Sequence, residues 1–188
     1  MAPTALVPIA NGSEDIESVT IIDVLRRAGL EVTVASVHDD RTVTAARQSV
    51  ITADALIDDC TGTGYDLIAL PGGMPGADHL GKSEPLQEKL RSQRESGKWY
   101  AAICAAPAVA LEPNGLLEGR AATAHPGFQS RLSDQSRVAE RVVIDGNCVT
   151  SQGPGSALEF SLALVEALCG RDKRDEVAAP MVLPTASS

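Results

Sequence analysis

Aromatic residues are scarce: one Trp, two Tyr and two Phe make up 3% of the 188 residues. Aromatic stacking cannot build the core, which must come from the Val, Ile, Leu and Ala of a chain that is 44% hydrophobic. That composition suits strands buried between helices. Long apolar runs are also missing. No stretch approaches the ~18 uninterrupted apolar residues of a membrane span, and the opening MAPTALVPIANGSED has neither a basic leader nor a long apolar segment. The expectation is a cytoplasmic protein with no membrane partner. Cys60, Cys104, Cys148 and Cys169 lie far apart with no C-x-x-C spacing, and His38, His79 and His125 are equally scattered. No zinc or haem motif is written there, and neither a metal nor another cofactor is expected. Positive charge is in short supply, 16 basic against 25 acidic residues for a net −9, so a nucleic-acid backbone would be repelled. Net charge leaves open a local basic pocket for a small anion.

What is present reads as α/β. The length fits one domain spanning residues 1–188. Short apolar runs at 6–9, 32–37, 67–70 and 100–103 predict strands, with helical patterns between several of them. Such βαβ order implies a mostly parallel sheet with right-handed crossovers and a ligand site beyond the carboxyl ends of the strands. The first helix takes Ser13 as N-cap, Glu14 and Asp15 in its first turn, Arg26 and Arg27 in its last, and Gly29 as its stop. A second follows Ser83-Glu84-Pro85 and ends near Gly97, and a third, apolar one covers about 156–169. Asp145-Gly146 predicts a hairpin turn. Residues 42–57 predict short strands, and the segment from Asp172 a small helix with an extended tail that frays at Pro184-Thr185-Ala186-Ser187-Ser188.

Candidate chemistry centres on Cys104. The run Trp99-Tyr100-Ala101-Ala102-Ile103 ends at this cysteine, and Ala105-Ala106-Pro107 suits the start of a helix, the arrangement of a nucleophile elbow. Such a turn aims the sulfur at the cleft, and nearby N–H groups favour thiolate, so a thiol pKa below the ordinary range is expected. An arbitrary cysteine is a small buried hydrophobe, the reading kept for Cys60, Cys148 and Cys169. Glu17 falls four residues before Ile21 on the buried stripe of the first helix. There a carboxyl is neutralised or paired, and a neutral one can donate to a thiolate. The alternative is a glutamate at the rim of the stripe. Gly72-Gly73 after the strand at 67–70 reads either as an oxyanion hole of backbone N–H groups or as an ordinary turn. His125 before Pro126 is either a proton carrier to Cys104 or a loop residue. His38 and His79 read as surface residues.

Taken together, Gly12-Ser13-Glu14-Asp15-Ile16-Glu17, Leu70-Pro71-Gly72-Gly73, Ala102-Ile103-Cys104-Ala105, His125-Pro126 and Gly153-Pro154-Gly155 resemble the ThiJ/PfpI superfamily, closest to its DJ-one (Parkinson disease protein deglycase) branch. The segment Val177-Ala178-Ala179-Pro180-Met181-Val182-Leu183 is similar to the end of that branch. The resemblance implies a flavodoxin-like three-layer sandwich and a homodimer. It also implies Cys104 as reactive thiol, Glu17 as its protonated partner, Gly72 and Gly73 as oxyanion donors with Ala105 beside them, and His125 as the family histidine. Arg27 and Arg47 match two basic residues near the family's pocket and dimer interface, while a third basic position is Gln152 here. The activity implied is a cofactor-independent glyoxalase (methylglyoxal to lactate) or a deglycase acting on glycated groups. An oxidative-stress sensor or redox chaperone, with Cys104 oxidised to sulfinate, is the alternative.

Overall fold

The structure, a computed structural model, describes residues 2–183; the tail at 184–188 lies outside them. Its strands are β1 (Thr4–Ile9), β2 (Glu31–Ser36), β3 (Thr42–Thr44), β4 (Val50–Thr52), β5 (Ala55–Leu56), β6 (Leu67–Leu70), β7 (Trp99–Ile103), β8 (Val142–Asp145) and β9 (Cys148–Ser151). The helices are α1 (Asp15–Arg27), α2 (Gly76–Lys82), α3 (Glu84–Ser96), α4 (Ala157–Cys169) and α5 (Arg171–Ala178). Seven strands pair in the order β5-β2-β1-β6-β7-β9-β8, with β8 antiparallel to β9 and the other pairings parallel. Strands β3 and β4 form a separate antiparallel ribbon. This is the flavodoxin-like α/β sandwich implied by the resemblance.

The two-residue period of the strands divides the core into two layers. On β6 and β7, Ile68, Leu70, Tyr100 and Ala102 pack toward Leu80, Leu86 and Leu90 of α2 and α3. The alternate residues Leu67, Ala69, Ala101 and Ile103 pack toward Ile21, Val24 and Leu25 of α1 and Phe160 and Leu164 of α4. Each such Leu or Ile contributes ~1.5–3 kcal/mol through burial. Alanine at Ala101 and Ala102 keeps the centre of the sheet thin enough for both layers to close.

Sequence and structure differ at several boundaries. Glu14, not Ser13, caps α1: its Oε2 accepts the Glu17 N–H at 2.7 Å, because the Ser13 hydroxyl is taken by the Ala10 N–H at 3.0 Å. The hairpin turn sits at Gly146 and Asn147, one residue later than expected, with Gly146 at φ 57°. Helix α2 was not foreseen; seven residues with two glycines carry little periodicity. Past Cys104 there is only a five-residue turn, Pro107–Leu111, widened so that the Glu112 N–H reaches the Pro107 carbonyl. No helix among the described residues is long and apolar enough to cross a membrane.

Candidate active site

Strand order reverses between β1 and β6, and the loops leaving the carboxyl ends of β1, β6 and β7 converge there. Cys104 occupies the residue after β7 at φ 66°, a left-handed conformation that costs a non-glycine residue roughly 1–3 kcal/mol. Two backbone bonds hold it there: the Cys104 N–H donates to the Ser151 carbonyl (2.9 Å), and the Cys104 carbonyl accepts the His125 N–H (2.8 Å). The cysteine is 8% exposed and faces the α1 and α4 layer.

Glu17, in the first turn of α1, is wholly buried. Its Oε2 accepts the Gly72 N–H at 2.8 Å, and the Gly72 carbonyl accepts the Glu14 N–H at 3.0 Å, so one residue clamps the end of β6 to the start of α1. Oε1 is buried with no hydrogen-bond partner at normal geometry among the described residues. Burial pushes the carboxyl up to about 7 against the pull of the Gly72 N–H and the Cys104 thiol, with Glu14's charge adding to the rise. An acid near neutrality thus lies against a thiol.

The expectation of a simply depressed thiol is not met. Burial, then the Glu17 carboxylate, pushes Cys104 up to about 12, while the N–H groups of Gly73 and Ala105 pull it down. The upward push from charge exists only while Glu17 is ionised. Protonation of Glu17 removes that push, so thiolate formation is favoured where Glu17 keeps its proton. The short turn after Cys104 adds little macrodipole, so the local N–H groups carry the anion stabilisation.

Gly72 cannot serve as the oxyanion donor expected of it, since its N–H is committed to Glu17. The donors directed at the sulfur are those of Gly73 and Ala105. Gly72 is required for space: a Cβ there would stand 2.6 Å from the Cβ of Cys104. Gly73, at φ 82°, would meet both the Glu14 nitrogen and the Gly12 carbonyl at 2.5 Å.

His125 is brought to Cys104 through its backbone; its exposed ring lies beside Gly153, and Nδ1 accepts the Gly127 N–H at 3.1 Å. In the neutral ring this leaves the proton on Nε2. The arginines are not gathered into the site. Arg27 ends α1, ten residues and ~15 Å along the helix from Glu17, and pairs with Asp23 at 2.6 Å. Arg47 is exposed, and only its backbone is held, by Asp15 at 2.7 Å. Gln152 turns away to the Val138 carbonyl at 3.1 Å, which also accepts Thr123 Oγ1 at 2.7 Å and Gln129 Nε2 at 2.6 Å. That three-donor anchor for the loop after His125, and the Ser151 carbonyl behind Cys104, were missed because no sequence spacing brings β9 beside β7. His38 and His79 are a half-buried edge-to-face pair rather than free surface residues. Among the described residues, no group of three or more His, Cys, Asp or Glu is placed to hold a metal.

A model of the DJ-1/PfpI family matches residues 3–167. Protein DJ-1 homolog B of Arabidopsis thaliana is 52% identical over 91% of this chain, which spans only 39% of that relative's length. A Caenorhabditis elegans protein named glutathione-independent glyoxalase DJR-1.2 is 34% identical over 91% of each chain. The solved structure described as Toxoplasma gondii DJ-1, oxidized, superposes with a TM-score of 0.95 at 44% identity, covering 98% of this chain and 100% of that one. The match of family model, sequence and backbone over nearly all of its length means that this chain belongs to the DJ-1/PfpI family.

Proposed function

We propose that the chain is a cofactor-independent glyoxalase, or a deglycase using the same chemistry, that acts on methylglyoxal or glycated groups through Cys104 and Glu17. The observation that carries this reading is the wholly buried Glu17 set against a cysteine held on a strained turn. Each carries a cost, a strained backbone at Cys104 and a carboxyl at Glu17 whose charged form burial disfavours, and together they supply a nucleophile and a proton carrier. The glyoxalase name of the nematode relative supports the reaction class.

In this reading the Cys104 thiolate adds to the aldehyde carbon of methylglyoxal, a C–S bond forms, and the oxygen takes a proton to give a hemithioacetal. Glu17, or His125 at the mouth, moves a proton from C1 to C2 through an enediol. C1 is thereby oxidised and C2 reduced, with no external oxidant. Water then cleaves the thioester, releasing lactate and returning the thiol. The N–H groups of Gly73 and Ala105 face the sulfur and the oxygen developing beside it. For a glycated amine, the thiolate replaces nitrogen at the carbinolamine carbon: the C–N bond breaks, the amine leaves with a proton from Glu17, and the C–S bond that forms gives the same hemithioacetal.

A homodimer fits the exposed Ile16 and Val19 of α1 and the exposed Val50, whose loop is tied to α1 by Asp15. Arg47 lies in that loop, beside the same surface. Leu25 of α1 is fully buried and adds nothing to this surface, and Ile22 is half-buried. A cytoplasmic setting completes the reading. A second role, as an oxidative-stress sensor, is favoured by the relative solved in oxidised form. In that role two peroxide equivalents would take the Cys104 thiolate through sulfenate to sulfinate.

The decisive assay gives metal-free protein methylglyoxal and follows lactate, with Cys104→Ala in parallel. Lactate formation lost in the variant supports the enzyme. No lactate from the wild type, with oxidation of Cys104 by stoichiometric peroxide, leaves the sensor.

A further inference from the structure

The four lysines differ in one respect. Lys82 pairs with Asp78 at 2.6 Å, Lys98 with Asp66 at 3.5 Å and Lys173 with Glu176 at 2.6 Å. Lys89 has no carboxylate within ion-pair distance among the described residues. Its Nζ donates to the Thr63 carbonyl at 2.6 Å and stands 5.3 Å from the centre of the Tyr65 ring, both neutral partners. The ammonium lies half-buried on the wall of a cavity of about 310 Å³, which Thr61, Thr63, Tyr65 and Ser92 also line.

We infer that Lys89 is a carbonyl-capturing amine, a covalent site for small uncharged aldehydes in this cavity, separate from Cys104. A carboxylate partner holds a lysine in its protonated, non-nucleophilic form with a full opposite charge; a carbonyl oxygen and a ring face hold it there less strongly. Burial lowers the Lys89 pKa, with the nearby Cys60 opposing the shift, so more of this lysine is free amine at a given pH. The exposed Glu88 also lines the cavity. The reaction balances without a co-reactant. The amine lone pair forms a C–N bond to the aldehyde carbon, a proton passes from nitrogen to oxygen, and water leaves to give the imine. Thr63 and Tyr65 precede β6, whereas Cys104 follows β7, and these strands pair in parallel. The two sites thus lie at opposite ends of the sheet, roughly 15 Å or more apart.

The test uses pyridoxal as the aldehyde probe, borohydride to reduce the imine to a stable secondary amine, and peptide mapping of initial rates at each lysine across pH. Lys89 is expected to label several-fold faster than Lys82, Lys98 and Lys173, and to reach half-maximal labelling at lower pH. Lys89→Arg should remove the fast phase, and glycolaldehyde should compete with it. Unchanged Lys89 labelling in Cys104→Ala makes the site independent of the thiol; loss of labelling there overturns that separation. Equal or slower labelling of Lys89 in the wild type overturns the inference outright and leaves the side chain as a strut for the loop at 61–64. This last readout needs no variant to fold.

Discussion

The Gly72 N–H donates a 2.8 Å hydrogen bond to Oε2 of Glu17, joining residues 55 positions apart. One consequence is positional: the second carboxyl oxygen is left buried with no hydrogen-bond partner at normal geometry among the described residues. Another is electronic: the bond favours ionised Glu17, opposing a burial that favours the acid, and the balance falls near neutrality. The same bond removes Gly72 from the set of donors open to a substrate oxygen.

Glu17→Gln keeps an acceptor for Gly72 and a donor for a thiolate but loses the transferable proton. Methylglyoxal turnover should fall by ~10²–10⁴ while alkylation of Cys104 at neutral pH is largely retained. His125→Ala should cost turnover less than Glu17→Gln, since the imidazole is exposed and tied to its own loop. Steady-state lactate formation and iodoacetamide rates check both; the reverse ranking makes His125 the main base.

Stability should respond to pH through Glu17. Its carboxyl is raised from an ordinary 4.5 to about 7 in the folded chain. Between these values the unfolded chain has released the proton that the native state still holds, so stability falls as pH rises through this window. The contribution is fully present below pH 4.5 and is lost above about 7, on the order of 3 kcal/mol in all. Denaturant titrations at pH 5 and 7.5 should show the wild type losing stability relative to Glu17→Gln.

Gly72→Ala places a methyl 2.6 Å from the Cys104 Cβ and 2.7 Å from the Ile103 carbonyl oxygen, both fixed atoms of the elbow. The expected cost is ~1–3 kcal/mol, with a larger loss of thiol reactivity because the strained turn must shift. Thermal melts and alkylation rates measure the two effects; full reactivity in the variant shows that the elbow tolerates displacement.

Val19→Asp puts a charge on a residue that is 54% exposed on α1, in the face assigned to the dimer. Light scattering after size exclusion should show a dimer for the wild type and a monomer for the variant. A wild-type monomer at micromolar concentration removes both the interface and the proposed place for Arg47.

Periodicity and punctuation determined the frame. Apolar runs set the strands at 67–70 and 100–103 and left Cys104 at a strand end, Gly97 and Gly170 closed α3 and α4, and the stripe of α1 put Glu17 on the buried face or at its rim. These are local preferences, fixed by residues within a turn or two. Tertiary structure decided everything that needed two distant segments: the Gly72 bond to Glu17, the Ser151 carbonyl behind Cys104 and the Val138 anchor. It also decided the ionisation of the pair. A pKa depends on how much water the surrounding chain removes and which charges it brings close, and neither quantity exists until strands from different parts of the sequence have been laid side by side.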